Sequence, residues 1–358
     1  MALSPNYGWT EPDNTGLVKN GAQDMRALGD AIDASVWNVG FGQAGKNKII
    51  NGDFSIAQRG TSITMAQNGY NLDRWTAGVG TAFPTGTVTR QLMPLGNTIS
   101  GYEFTYFMRI NPTVANGCTT YSQTQRIEDV RTFAGQTATL SFWFKADAAC
   151  SPTVAITQSF GTGGSGSVAV LSPQTISATT TWTRFSFTVT FPSISGKTIG
   201  TNSAVDVSFL MPLVSGVLRV GSYDITGVQL EYGSKMTPFQ TASGGSPQAE
   251  LAMCQRYYYR TSGLNNGIFG IGQALSTTVA MIQVPFFAYM RVRPTTVDSS
   301  SLYVADGVSA FTGGTVTAGA VVNGLGIISY TTAGLTQYRP YYLSMTSDSG
   351  YLGFSAEL

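Results

Sequence analysis

The 358-residue chain contains no histidine and only three cysteines, Cys118, Cys150 and Cys254. Without histidine, the commonest general base and the commonest transition-metal ligand are both missing, and no Ser-His-Asp triad can be assembled. The cysteines are widely spaced and form no CxxC pair, which argues against a zinc or redox motif. Unreactive or buried thiols are expected; a Cys118–Cys150 bridge is the alternative, unusual for a protein assembled in a cytoplasm. Charge is scarce too: 11% of residues are charged, against roughly 25% in an ordinary soluble domain. The net charge is +1, with no basic or acidic block, so counterion-release binding to nucleic acid has no footing. No apolar run approaches the roughly 18 residues of a membrane span. The longest, Val279 to Met290, is interrupted by Gln283 and Pro285 and reads as a strand. Met1 to Asn14 holds neither a basic nor an apolar segment, so no secretory signal is expected and synthesis in a cytoplasm is.

Hydrophobic residues make up 42% of the chain, enough for a real core, and Thr, Ser, Gly, Asn and Gln fill the charge deficit. Surfaces of hydroxyls and amides suit β-sheets, and they suit proteins that pack against copies of themselves. The length fits two medium domains. Near the N-terminus, apolar or small residues run Val18, Ala22, Met25, Gly29, Ile32, Val36 and Val39, at spacings of 4, 3, 4, 3, 4 and 3. That is a heptad seam over three repeats, preceded by turn residues Pro12 to Gly16. Such a helix is marginal alone in water; it meets copies of itself or lies on its own domain, and self-association is the favoured reading. After Lys46 the period becomes two. Leu140, Phe142, Phe144 and Ala146 alternate with Ser141, Trp143 and Lys145, and Phe185, Phe187, Val189 and Phe191 with Arg184, Ser186, Thr188 and Thr190. Tyr102, Phe104, Tyr106, Met108 and Ile110 repeat the pattern.

These half-buried strands between Gly, Ser, Asn and Pro turns predict an all-β chain: a jelly-roll or β-sandwich domain, then a second β-rich domain, with a short N-terminal helical segment. The expected domains are 1–46, 47–243 and 250–358. The run Thr241 to Gln248 (TASGGSPQ) has the composition of a linker between the last two, so cleavage there is expected to leave 47–243 folded.

The wording of several segments carries further meaning. They are Asn47 to Gly60 (NKIINGDFSIAQRG), Asp73-Arg74-Trp75, Ile127-Glu128, Gly135 to Ala146 (GQTATLSFWFKA), Phe160 to Gly164 (FGTGG), Gly196 to Thr201 (GKTIGT), Gly227 to Glu231 (GVQLE), Pro238-Phe239 and Cys254 to Tyr257 (CQRY). The ordered series resembles a module common in bacteriophage tail-fibre and other virion proteins. It covers roughly residues 47–260, with weaker similarity at Met290-Arg291 and Ala356 to Leu358. The resemblance implies a jelly roll similar to carbohydrate-binding modules, set in a phage fibre. Such fibres are commonly homotrimers that recognise bacterial surface glycans. Tyr7 to Asn14 and Asn20 to Ile32 look like the virion-attachment ends of phage proteins. The expectation is therefore an adhesive virion protein, made in the host cytoplasm, trimeric, held to other virion proteins by its N-terminal segment and binding bacterial surface polysaccharide. It would be neither an enzyme nor a nucleic-acid or membrane-inserted protein. The alternatives are an architectural capsid-decoration or tail protein without a ligand and, third, a polysaccharide depolymerase.

Strand parity sharpens the site. If Phe142 and Phe144 face the core, Trp143 and Lys145 face away, as do Trp182, Arg184, Phe107 and Arg109. Aromatic rings cover the C–H faces of sugars while amide, carboxylate and guanidinium groups meet the hydroxyls, so this face is a candidate glycan platform. The competing reading is packing against a neighbour, where Trp and Arg are also enriched; because Trp143 and Trp182 sit in the shared motif, packing ranks first. In the C-terminal unit, alternation implies that at least one of Tyr257, Tyr258 and Tyr259, and at least one of Tyr341 and Tyr342, faces away from the core. Tyr258 and Tyr342 join Trp143, Trp182 and Arg184 as candidate glycan contacts, and the distal end of a fibre mounted by its N-terminus is the favoured place. Asn51, Asp53 and Asp224 lie near the first and last strands of the module, where carbohydrate-binding modules of similar architecture often hold calcium; three donors fall short of the six to eight calcium takes, and no cofactor is expected. Gly161 to Ser167 (GTGGSGS) lacks the lysine and helix of a phosphate loop and reads as a turn. Paired carboxylates for glycoside hydrolysis stay open, since 19 acids are present.

Overall fold

The structure is a computed structural model describing residues 2–4, 9–11, 20–39, 45–65, 69–96, 99, 102–263, 265–285, 288–294, 296–322 and 325–358. The N-terminal helix, α1, spans Gly21–Val39. Of the predicted seam, Val18 lies outside the described residues, as does the side chain of Val36. Ala22, Met25 and Ile32 are exposed, Met25 by 64%.

Residues 47–243 build two packed antiparallel sheets. The strands are β1 (Ser62–Thr64), β2 (Gly69–Tyr70), β3 (Trp75–Val79), β4 (Thr85–Leu92), β5 (Tyr106–Val114), β6 (Tyr121–Glu128), β7 (Thr137–Ala146), β8 (Thr153–Ser159), β9 (Val168–Thr175), β10 (Thr183–Thr190), β11 (Ala204–Leu210) and β12 (Tyr223–Tyr232). One sheet runs β10-β7-β12-β5-β4-β1 and the other β9-β8-β11-β6-β3-β2. From β5 to β8 the chain changes sheet at every connection, the winding of a jelly roll. Period-two patterning places Leu140, Phe142 and Phe144 of β7 opposite Val205, Val207 and Phe209 of β11, all buried in one core. Phe209 meets Phe142 edge-on, with ring centroids 4.8 Å apart. The fold is all-β, as the alternation predicted.

The first predicted strand differs. Strand β5 begins at Tyr106, whereas Tyr102 and Phe104 belong to a strap that folds back over the outer face of the first sheet. Strand β12 carries a bulge: Thr226 pairs with Trp143 and Gln229 with Ser141, leaving one extra residue. Gly227 there has φ +60°, and a Cβ on it would stand 2.6 Å from the Trp143 ring and 2.7 Å from Phe104. Gly227→Ala is expected to cost about 2–4 kcal/mol, from left-handed backbone and forced displacement of packed rings, readable as a lower urea midpoint at unchanged slope.

Beyond residue 243, helix α2 (Pro247–Gln255) starts at the N-cap Ser246, whose hydroxyl accepts from the Ala249 N–H. Then follow β13 (Tyr258–Ser262), β14 (Ile268–Ala274), β15 (Val279–Pro285), β16 (Thr296–Ser300), β17 (Leu302–Ala305), β18 (Ala310–Thr312), β19 (Thr315–Val322), β20 (Leu325–Thr331), β21 (Pro340–Met345) and β22 (Tyr351–Ser355). A seven-stranded sheet, β18-β17-β21-β14-β15-β20-β19, and a three-stranded one, β13-β22-β16, enclose a second core of Ile282, Val304, Ile328, Leu343 and Phe354. The predicted linker is not a free tether. Ala242 and Ser243 are buried, Ala242 O accepts from Gly45 N, and Ser243 N donates to Glu250.

Candidate functional site

The strands that carry Trp143, Arg184 and Phe107 belong to one sheet: β10, β7, β12 and β5 are neighbours, and Arg184 pairs with Trp143 in register. At Trp143 the outer face of that sheet is nonetheless closed. Trp143 is fully buried under the strap, edge-on to Phe104 at 5.1 Å and to Tyr102 at 5.6 Å. Arg184 lies 4.3 Å from the Trp143 ring and donates to Thr237 O and Ser141 Oγ, with burial lowering its pKa. Trp182 is half-buried, edge-on to Phe107, with the Lys145 ammonium 5.1 Å above its ring. Trp143 is therefore a packing residue of a separate, smaller aromatic cluster, as its motif position favoured, and not an open platform: Tyr102 and Phe104 cover it, which strand parity has no means of showing.

Four of the nine motif segments, 47–60, 73–75, 127–128 and 254–257, meet at the contact between jelly roll and C-terminal unit. Arg74 is 1% exposed; its guanidinium pairs with Glu357, donates to Arg126 O and stacks 3.4 Å from the Tyr257 ring. Arg59 also pairs with Glu357, and lies 3.5 Å from the ring of Tyr258. Arg256 pairs with Glu128, to which Tyr257 also donates. Arg291 donates to the carbonyls of Ala356 and Glu357. The Glu250 carboxylate accepts from Asn51 N and Ser243 N, while burial raises its pKa. Asp73, its pKa likewise raised by burial, accepts from Gln58 N and Nε2. Tyr70 donates to Leu358 O, and burial, then Glu357, push its hydroxyl up to about 12.

Tyr258 belongs to this contact, and its expected exposure is corrected. It is 1% exposed, donates to Asp298, and has its pKa raised first by burial. Tyr257 and Tyr259 are buried as well. Alternation fails here because β13 lies between two bodies, one on each face, and Tyr257 precedes the strand. The three oxygen donors considered for calcium are already engaged. Asp224 is held by Arg109 at 2.8 Å and by Lys145 at 3.5 Å. The Asn51 amide is committed to Ile56 and Asp73 backbone, and Asp53 accepts from Ser55. Among the described residues no cluster of three or more Cys, Asp or Glu could hold a metal. All three cysteines are free thiols. The glycine-rich run 161–167 packs backbone on backbone against 200–203, where a Cβ on Gly161 would meet Thr201 O at 2.1 Å.

A cleft of about 660 Å³ lies open on the outer side of the seven-stranded sheet. Alternation buries Tyr341 and turns Tyr342 outward, half-buried. Across one rung of the floor stand Ile327, Gln283, Ile271 and Tyr342, each paired with the next. The adjacent rung holds Met281, Gln273 and Pro340. Ile271 is 69% exposed, and Leu275 adds to the wall. Among the described residues, the side chains of Gln273, Gln283 and Tyr342 make no hydrogen bond. Asp306 is the acid of the cleft; it accepts from Val308 N and Ser309 N, which lower its pKa, and pairs with Arg339. An apolar floor set with free amides and a phenol suits an uncharged, amphipathic ligand. The glutamines were not predicted, although period two around Ile271 and Gln283 was their signal.

No family model matches the chain, and no curated protein does. Among solved structures, it is similar to the enzymatically active domain of tailspike protein 4 of bacteriophage CBA120, at 17% identity over 52% of this chain and 22% of that one, TM-score 0.35. It is similar to the N-terminal cellulose-binding domain of Cellulomonas fimi β-1,4-glucanase C, at 13% identity over 49% and 97%, TM-score 0.31. A family 11 carbohydrate-binding module of Clostridium thermocellum, solved with a mixed-linked tetrasaccharide, matches at 10% identity over 49% and 98%, TM-score 0.30. Likenesses this weak say nothing about what the chain binds.

Proposed function

We propose that the chain is a structural and adhesive subunit of a bacteriophage fibre, a homotrimer that binds bacterial surface glycans through the cleft beside Tyr342. The observation that carries this reading is the cleft floor, where a tyrosine ring and aliphatic side chains alternate with unbonded amides. A sugar needs both at once: apolar cover for its C–H faces and hydrogen-bonding groups for its hydroxyls. The sequence motifs from Asn47 to Tyr257 support the virion setting. Exposed Met25 and Ile32 on α1 support assembly of helices on a common axis. The N-terminal segment would join other virion proteins, and the chain would perform no catalysis. Weak single-site binding would be strengthened by repetition over the particle.

Tyr342→Ala tests the site. A stacked ring contributes about 0.5–1.5 kcal/mol, so glycan-array affinity is expected to fall roughly two- to tenfold per site, and host-cell adsorption by more, with sedimentation unchanged. Adsorption that survives deletion of residues 250–358 in a soluble protein would refute it. Assembly has its own test: sedimentation at micromolar concentration is expected to show a trimer, and Ile32→Asp to weaken it by placing a charge in the seam. A clean wild-type monomer would end that part of the proposal.

The second reading, an architectural virion protein without ligand, is favoured by one observation: Trp143, at the centre of the other aromatic face, is fully buried by the chain itself. Silence on glycan arrays together with retained virion assembly would select it.

A further inference from the structure

The cleft's lining also bears on which saccharide fits it, granted the glycan reading above. We infer that the cleft selects neutral saccharides that carry methyl groups, as 6-deoxy or N-acetyl substituents, over acidic or unsubstituted ones.

The charge balance favours a neutral sugar. The acid of the cleft, Asp306, is matched by Arg339 at 3.0 Å and by two backbone N–H groups. Among the described residues the lining contains no other cation or acid. A uronate or phosphate substituent would meet Asp306 with no free cation to receive it, and like charges at close range disfavour binding. A neutral sugar meets no such penalty.

The kind of apolar surface points the same way. Only one ring, that of Tyr342, is presented on the rung; its neighbours are branched aliphatics, Ile271 and Ile327, with Met281 beside them. Aliphatic side chains do not offer a flat π-face for a pyranose ring. Their stabilisation comes from removing apolar area from water, and a sugar presents such area chiefly as methyl groups. Each methyl buried there is expected to raise affinity about fourfold. Gln283 and Gln273 stand next to these aliphatics in register, so hydroxyls or an acetamido group flanking a methyl would find amide partners. The four strands of the floor span roughly 14 Å, so the ligand would be an oligosaccharide segment and not a single methyl-bearing residue.

The test uses the full chain and three matched sets of soluble oligosaccharides: neutral with 6-deoxy or N-acetyl groups, neutral without them, and uronate-bearing. Affinities are read by isothermal titration or ligand-observed NMR. The expected order places the methyl-bearing set first by about fourfold per buried methyl, with uronates weakest, and Ile271→Ser is expected to bring the ratio of the first two sets close to one. Equal affinity across the neutral sets, or uronates bound most tightly, overturns the inference while leaving the glycan reading standing. If no saccharide binds, both fall. If Ile271→Ser changes the sedimentation coefficient instead of the affinity ratio, the face is a subunit contact and the inference is overturned.

Discussion

Replacing Glu357 by alanine is expected to destabilise the whole chain by about 3–5 kcal/mol, because it leaves a buried cation without its partner. Arg74 is 1% exposed and Glu357 5%, so neither charge is screened by water. Tyr257 stacks on the guanidinium and Arg126 O accepts from it, but neither neutralises it. Arg59 loses the same carboxylate. Urea unfolding is the measurement, with the midpoint falling by one to several molar for a slope of about 1–3 kcal/mol/M. A change below about 1 kcal/mol, the scale of an exposed ion pair, would show that the contact is solvated. The same geometry revises the modular expectation. A 47–243 fragment contains Arg74 and Asn51 but lacks Glu357 and Glu250, and is expected to be less stable than the sandwich within the full chain, even though its core is complete.

Trp143→Ala is expected to cost about 3–5 kcal/mol, with no loss of glycan affinity at equal folded fraction. The side chain is fully buried among Tyr102, Phe104 and Arg184. Its indole N–H has no hydrogen-bond partner among the described residues, so the loss is one of packing and cavity. Thermal melts and glycan arrays on the same samples separate the two roles. A variant of near-normal stability that loses binding would return the glycan site to the jelly roll and displace it from the C-terminal cleft.

Much of the architecture was legible because it depends on local periodicity. The alternation through Leu140, Phe142 and Phe144 dictates which side chains face the core whatever lies elsewhere, and the Val18–Val39 spacing marks a helix without reference to its partners. Alternation at Tyr341 and Tyr342 likewise separates a buried ring from an outward one. It failed at Tyr258, where both faces of a strand are covered, and it overstated the openness of Trp143. Parity says which side of a sheet a residue occupies. It does not say whether that side meets water.

The sequence by itself therefore determined an all-β chain, short of charge, without histidine chemistry, with a helical N-terminus and two cores. Only the tertiary structure decided which surfaces remain open. Tyr102 and Phe104 close over Trp143, and Glu357 closes on Arg74 from 283 residues away. It also brought the motif segments around Asn51, Arg74, Glu128 and Tyr257 into one contact between the two units and left the face of Ile271, Gln283 and Tyr342 uncovered. The physical reason is that exposure depends on what packs over a residue, and in this chain the covering segments are remote in sequence.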